Sequence, residues 1–310
     1  MFEHINVWKR GDERAPHKPL LILLALGRLA HGQERLVDFE EIEPKLKALL
    51  QEYGPTRKSY HPEFPFWHLQ TDGLWEIPER ESLASRKGSS NPTAAEFRRN
   101  HARGGFPEEV YRKLQGDPNK IHHEAQSLLE AHFPESYHDD ILQAVGLGDL
   151  ENAAETRKTV ERRKRDPKFR EIIIRAYEFK CAVCGLDLRL DNVNLCLEAA
   201  HIKWHQAGGP DIHQNGLCLC SLHHKAFDRG AFTLSSDYHI ELSQRIHGDS
   251  QGMRDWFLRF HGREIRFPQA ENWLPSNVYV NWHRKEVFRH PTRPVLFMAA
   301  EESREYRDRD

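Results

Sequence analysis

The chain has 310 residues, 38% of them hydrophobic and 30% charged, which is typical of a soluble globular protein with room for two domains. The net charge of −2 gives no overall preference for a nucleic-acid partner. The longest apolar run is too short to span a bilayer and the first residues lack a signal-peptide pattern, so we expect a cytoplasmic location.

The first half is predicted to be mostly helical with short strands. An apolar run from Leu20 to Leu26 follows Pro19 and predicts a buried helix that starts near that proline. A second helix is predicted for Phe39 to Tyr53, where apolar residues recur at helical spacing before Gly54-Pro55. Prolines between Tyr60 and Leu69 predict strand and loop in place of a helix.

Further elements follow along the chain. A short strand is predicted after the Asp72-Gly73 turn, and three more helices precede a charged linker at residues 148–165. The strand covers Leu74 to Ile77, and the helices cover Pro107 to Leu114, Ile121 to His132 and Asp139 to Val145. The second domain is expected to open with a helix that has Asp166 as its N-cap, Pro167 in its first position and Phe179 near its end.

A basic run separates the two halves. Between Arg157 and Arg170 there are eight Lys or Arg residues against Glu161 and Asp166. A solvated linker helix explains such a run, and so does a segment that follows the phosphates of a nucleic acid.

All five cysteines lie in one short region, and the first 180 residues contain none. This clustering favours metal ligation over a disulfide framework. The spacing of Cys181-x2-Cys184 matches that of Cys220-x2-His223, so these four residues are predicted to hold a structural zinc ion in a closed tetrahedral site. Cys196 and Cys218 lie in apolar, strand-like runs and are predicted to be packed thiols.

The same region contains His201, Asn215 and His224 in a His…Asn…His series. Residues 169–242 here resemble the HNH nuclease superfamily, whose active site is a ββα-metal fold. The resemblance implies that His201 is the general base that takes a proton from water, and that His224 ligates a catalytic Mg²⁺ or Mn²⁺ ion. It also implies that Asn215 braces the loop, so that a backbone carbonyl orients the His201 ring.

The second ligand of the catalytic ion is open. Many members of the superfamily have Asp or His directly before the base, where this chain has Ala200. Asp228 follows His224 by four residues and therefore shares its helix face, which favours it. Glu198 is the alternative, because it shares a strand face with Ala200.

The first half resembles the sulfur-binding domain of phosphorothioation-dependent restriction endonucleases. The resemblance depends on four segments, at residues 14–21, 61–67, 72–76 and 104–107. It implies a shallow apolar hollow for the sulfur atom, because sulfur is larger and less hydrated than the oxygen it replaces. The hollow would be lined by Phe64 and Pro65, with His68 near its edge. The flanking phosphates and base edges would be contacted by Arg10, His17 and Lys18.

The sequence therefore predicts an α+β protein with a sulfur-binding domain at residues 1–147, the linker at 148–165 and an HNH endonuclease domain at 166–310. The predicted function is that of a modification-dependent (type IV) restriction endonuclease that cuts phosphorothioated double-stranded DNA by a one-metal mechanism. Because two strands need two cuts, a homodimer is expected. Two alternatives stay open: an HNH endonuclease directed at methylated cytosine, and a non-catalytic, zinc-containing DNA-binding protein.

Overall fold

The computed structural model describes residues 2, 5, 12–83, 91–148, 167–191 and 193–294. The chain divides into two compact units, Met1–Glu161 and Arg162–Asp310. Arg10, Asp166 and residues 149–165 of the expected linker lie outside the described residues, as do most of the basic run and the last 16 residues. Among the described helices none has both the length and the apolar character that crossing a membrane requires.

The first unit is mostly helical, with one antiparallel strand pair in which Leu36 faces Gly105. Its elements are α1 (His17–Ala30), β1 (Leu36–Asp38), α2 (Phe39–Tyr53), α3 (Glu63–His68), α4 (Arg80–Leu83), α5 (Ala94–Arg99), β2 (Arg103–Gly105), α6 (Glu108–Leu114), α7 (Pro118–His132) and α8 (His138–Ala144).

Helix α1 forms the centre of this unit, and every residue from Leu20 to Leu26 is buried. It contacts α2, α3 and α7. The helix begins at His17, two residues before the predicted Pro19, because a proline in the first turn sacrifices no intrahelical hydrogen bond. The first intrahelical bond is donated by the N–H of Leu20 to the carbonyl of Pro16 at 3.0 Å.

Two predictions for the first unit are wrong. Residues 63–68 form helix α3, because Pro62 and Pro65 fall at its N-cap and first turn, where no backbone donor is needed. Phe66 anchors this helix through edge-on contacts with Phe39 at 5.0 Å and Phe97 at 5.3 Å. The predicted strand at 74–77 is reduced to one isolated bridge from Glu76 to Gly105.

The second unit combines helices with three short strand pairs. Its elements are α9 (Pro167–Ala176), β3 (Arg189–Leu190), β4 (Val193–Asn194), β5 (Leu197–His201), β6 (Gly216–Cys220), α10 (Ser221–Asp228), β7 (Phe232–Leu234), β8 (Ile240–Leu242), α11 (Gln251–Trp256) and α12 (Asn277–Glu286). Both units mix helices with small sheets, which confirms the predicted α+β class.

Strands β5 and β6 and helix α10 form the ββα unit. The antiparallel register pairs His201 with Gly216 and Leu197 with Cys220. Helix α10 begins at the residue after β6, so the two strands and the helix meet at Cys220. This arrangement brings side chains that are 20 or more residues apart in sequence into one region.

Helix α9 packs on the two strands and ends at Ala176, before the predicted Phe179. It stops there because Glu178 and Phe179 have positive φ angles of 54° and 59°, which a right-handed helix excludes. A Cβ atom at Gly216 would lie 2.3 Å from Cδ1 of Ile173, so only glycine allows this close packing.

Buried His283 on α12 ties helix α10 to strand β7. Its Nε2 donates to the carbonyl of Phe227 at 3.0 Å, and its Nδ1 accepts from the hydroxyl of Thr233 at 2.9 Å. Its ring stacks on that of Phe227 with centroids 3.8 Å apart. The C-terminal part of α10 is thereby held in place from the core side.

Candidate metal centre and active site

The first cluster consists of Cys181, Cys184, Cys220 and His223. Their Sγ and ring-nitrogen atoms all lie within 4.8 Å of one another. His223 Nδ1 is 3.1 Å from Sγ of Cys220 and 3.7 Å from Sγ of Cys181, and the Sγ atoms of Cys184 and Cys220 are 3.9 Å apart. The structure thus brings together the four residues predicted to hold zinc.

The spacing and chemistry of the cluster fit zinc. Tetrahedral ligands at about 2.3 Å from an ion are about 3.8 Å from one another, close to the separations of these atoms. Burial alone would lower the pKa of His223, but hydrogen bonds with Cys181 and Cys220 raise it to about 10. Hydrogen bonds from Cys184 and Cys220 lower the pKa of the Cys181 thiol. A cation that binds thiolates displaces the protons that such thiol and imidazole groups share.

A residue outside the cluster also helps to orient its ligands. His223 Nε2 donates to the carbonyl of Trp256 at 2.7 Å, which directs Nδ1 toward the three sulfur atoms. Cys218 is buried beside the cluster, and burial raises the pKa of its thiol to about 12, as expected for a packed thiol. Cys196, also predicted to be packed, is exposed and has a φ angle of 60°.

Asn215 is fully buried directly before β6 and forms hydrogen bonds across the loop between β5 and β6. Its Oδ1 accepts from the N–H of Lys203 at 2.8 Å. Its Nδ2 donates to the carbonyls of Lys203 and Pro210, each at 3.0 Å. Asn215 therefore bridges the loop by hydrogen bonds near both of its ends, and its part in catalysis stays a prediction.

His201 ends strand β5 with its side chain 11% exposed. Its ring stacks on Phe169 of α9, with centroids 4.1 Å apart and planes at 16°. Its Nε2 lies 2.6 Å from Oδ1 of Asp211. The expected orienting group was a backbone carbonyl, whereas the group found on Nε2 is a carboxylate from the loop that Asn215 braces.

His224 lies in the first turns of α10, between the two carboxylates that the sequence left as alternatives. Its Nδ1 is 2.5 Å from Oε2 of Glu198, and its Nε2 is 3.5 Å from Oδ2 of Asp228. The Glu198 side chain is 44% exposed and the Asp228 side chain is 5% exposed. The two carboxylates thus occupy opposite edges of the ring, one toward solvent and one toward the core.

In the first unit, Phe64 is an exposed apolar side chain of α3, with 44% of its surface accessible. Its ring stacks on that of His61 with centroids 4.7 Å apart and planes at 14°. His61 is held by Glu63 at 2.9 Å and by the hydroxyl of Ser59 at 2.8 Å. Pro65 is buried beside Phe64, so the aromatic ring provides most of the apolar surface.

Basic groups of the same unit are linked to this ring through His61, which interacts electrostatically with His17. Lys18 Nζ lies 2.6 Å from a carboxylate oxygen of Asp72. Burial, followed by the charges of Arg57 and His61, lowers the pKa of His17 to about 4. Burial, followed by the charge of Lys18, lowers the pKa of His68. We call the set His17, Lys18, Arg57, His61, Phe64 and His68 the Phe64 patch.

Sequence reasoning missed three residues at these sites. Asp211 contacts His201, while Arg57 and His61 belong to the Phe64 patch. No spacing pattern in the sequence marks Asp211, because its contact with His201 depends on the path of the loop between β5 and β6. Arg57 precedes Lys58 directly, and this basic pair just before the aromatic segment was a signal that could have indicated it.

Two family models match the chain. Residues 1–150 match the ScoMcrA-like DNA sulfur-binding domain, and residues 181–235 match the HNH endonuclease family. The two matches confirm both resemblances that the sequence analysis drew. No curated protein matches the chain.

Solved structures resemble the first unit. The sulfur-binding domain of ScoMcrA complexed with phosphorothioated DNA is 23% identical with a TM-score of 0.42, over 48% of this chain and 98% of that one. The corresponding complex of SprMcrA is 21% identical with a TM-score of 0.38, over 47% of this chain and 90% of that one. The type IV phosphorothioation-dependent restriction endonuclease ScoMcrA is 23% identical with a TM-score of 0.39, and 26% of its chain is covered against 45% of this one.

Proposed function

The chain joins a ScoMcrA-like DNA sulfur-binding domain to an HNH endonuclease domain, and from this pairing we propose that it is a modification-dependent (type IV) restriction endonuclease. Residues 1–147 bind phosphorothioated double-stranded DNA, residues 166–310 hydrolyse a nearby phosphodiester bond, and residues 148–165 link the two. The observation that carries the proposal is the presence of both domains on one chain.

The Phe64 patch supports sulfur recognition on physical grounds. A sulfur atom on a phosphate loses less hydration than oxygen when it meets an apolar surface, so an exposed aromatic ring favours the modified linkage. Phe64 offers that ring, and Lys18 and Arg57 supply positive charge for the flanking phosphates. His17 has a pKa of about 4, so at neutral pH it contributes a hydrogen bond and no charge. His68 is proposed to lie near the edge of the sulfur-binding surface, and Arg10 is proposed as a further contact with the DNA backbone.

The ββα unit supports hydrolysis. His201 takes a proton from the attacking water, and Asn215 holds the loop beside it. His224 would hold a catalytic Mg²⁺ or Mn²⁺ together with Asp228 or Glu198, and such an ion would supply positive charge beside the scissile phosphate. Zinc held by Cys181, Cys184, Cys220 and His223 would keep helix α10, and therefore His224, in place.

Cutting both strands of a duplex requires two active sites or two successive reactions. Because the chain has one His…Asn…His series, we propose a homodimer on DNA. Sedimentation of the protein with and without a phosphorothioated duplex tests this, and a monomer that still yields linear plasmid would contradict it.

The experiment that tests the function compares three plasmids with Mn²⁺ or Mg²⁺: one phosphorothioated, one methylated at cytosine and one unmodified. Linear product from the phosphorothioated plasmid alone is the expected result. Preferential cutting of the methylated plasmid would identify the methylcytosine-directed alternative. Binding without cutting in every divalent metal would identify a non-catalytic DNA-binding protein.

A further inference from the structure

A carboxylate reaches the proposed general base from a loop that no motif marks. Asp211 lies ten residues after His201, and its Oδ1 is 2.6 Å from His201 Nε2. The Asp211 side chain is 31% exposed, so it keeps one side toward solvent while it contacts the ring.

The loop holds Asp211 from both sides. Nδ2 of Asn215 donates to the carbonyl of Pro210 at 3.0 Å, and the backbone N–H of Asn215 donates to the carbonyl of Ile212 at 3.0 Å. The residues directly before and after Asp211 are therefore bonded to the same asparagine. A Cβ atom at Gly209 would lie 1.8 Å from the carbonyl oxygen of Lys203, so only glycine lets the chain pass here.

Two contacts then fix the His201 ring. Stacking on Phe169 sets the plane of the imidazole, and the Asp211 carboxylate sets its rotation within that plane. His205 is another titratable group on this loop. Its ring centroid lies 6.0 Å from that of His201 in an edge-on arrangement. The carboxylate of Asp211 thus lies within hydrogen-bonding range of Nε2.

We propose that Asp211 is a positioning residue for His201: its carboxylate accepts the Nε2–H hydrogen bond, so that Nδ1 carries the lone pair that takes the proton from water. The inference depends on the proposed role of His201 as general base. Asp211 itself takes no proton. Its negative charge stabilises the imidazolium that forms when His201 is protonated.

This assignment also gives Asn215 a specific part in catalysis. Asn215 grips the two neighbours of Asp211, and Asp211 orients His201. The His…Asn…His series therefore acts through a fourth residue. Substitution of Asn215 is expected to slow cutting mainly because the Asp211 carboxylate would lose its contact with His201.

The kinetic test uses the full chain with Asp211→Ala and Asp211→Asn, and with the exposed Asp237→Asn as a matched control. Single-turnover cutting of a phosphorothioated duplex should slow by roughly 10- to 100-fold in Asp211→Ala while the Kd for that duplex is unchanged. Asp211→Asn should be intermediate, because an amide oxygen still accepts the hydrogen bond but lacks the charge. In the pH–rate profile of Asp211→Asn, the acidic limb should move to lower pH, because the uncharged amide stabilises the His201 imidazolium less than the carboxylate does.

A spectroscopic test needs neither DNA nor a catalytic ion. In ¹⁵N spectra of histidine-labelled protein, with His201 assigned by comparison with His201→Gln, the wild-type ring should be the Nε2–H tautomer. Asp211→Ala should give a mixture of tautomers. An unchanged tautomer together with cutting within twofold of wild type would overturn the proposal. Unimpaired cutting by His201→Ala would instead refute the general base, and the tautomer would still report the Asp211 contact.

Discussion

At the scale of single residues, the half-buried His17 is expected to make stability depend on pH. Its pKa falls from 6.5 to about 4 on folding, so between these values the unfolded chain binds the proton and the folded chain does not. Stability should therefore rise with pH across that window, by about 3 kcal/mol for the complete shift. His17→Gln should lose this contribution. Urea unfolding of both proteins at several pH values from 4 to 7 checks it, and parallel pH curves would contradict it.

The choice between Glu198 and Asp228 is a second question at this scale. An ion that also binds a DNA phosphate must lie where DNA can reach, and the Glu198 side chain is 44% exposed against 5% for Asp228. We therefore expect Glu198→Gln to raise the Mn²⁺ concentration for half-maximal cutting by roughly tenfold or more. Asp228→Asn should have the smaller effect on that concentration. Titration of Mn²⁺ in cutting assays measures both, and the opposite order would identify Asp228 as the ligand.

At the scale of elements, the start of helix α10 contains two of the four residues proposed to hold zinc. Cys220 is its N-cap residue and His223 lies in its first turn, directly before His224. Structural zinc contributes roughly 10–16 kcal/mol of apparent binding free energy, which is comparable with the stability of a whole domain. Cys184→Ser should therefore reduce zinc content, melting temperature and cutting together. Exposed Cys196→Ser is the matched control and should retain all three.

Elements also differ in how well their sequence predicts them. Helix α2 has the expected range, Phe39–Tyr53, because its apolar spacing and the Gly54-Pro55 stop are both local signals. Helix α3 was mistaken for strand and loop, because its prolines look like helix breakers unless the start of the helix is known. Contacts of Phe66 with aromatic rings of α2 and α5 stabilise that short helix, and no local pattern encodes them.

At the scale of the whole molecule, recognition and cutting should be separable. His201→Ala should reduce cutting by at least about 100-fold and leave the affinity for phosphorothioated DNA unchanged. Gel-shift and cutting assays on one preparation measure both properties. Parallel loss of binding and cutting would contradict a division of labour between the two domains.

The complementary change is Phe64→Ala. Removing the aromatic surface should weaken binding to phosphorothioated duplex by roughly 10- to 100-fold, with little change for unmodified duplex. Phe267→Ala is a matched control, because Phe267 is an aromatic residue of similar exposure in the second unit. Equal losses for modified and unmodified duplex would show that Phe64 contributes to general DNA affinity and not to sulfur selectivity.

Spacing along the chain was enough to predict the features that depend on local order. Two residues between paired ligands place both at one turn, so the four residues of the cluster could be predicted together. The sulfur-binding and HNH domains were predicted from resemblance to known families, and the matching family models confirm both resemblances. The contact of Asp228 with His224 follows from helix spacing and was expected from the sequence. The tertiary structure determined which groups meet across loops, namely Asp211 with His201 and Glu198 with His224. It also lowers the pKa of His17, mainly through burial. These properties depend on loop path and burial, which arise from contacts between distant segments and leave no periodic trace in the sequence.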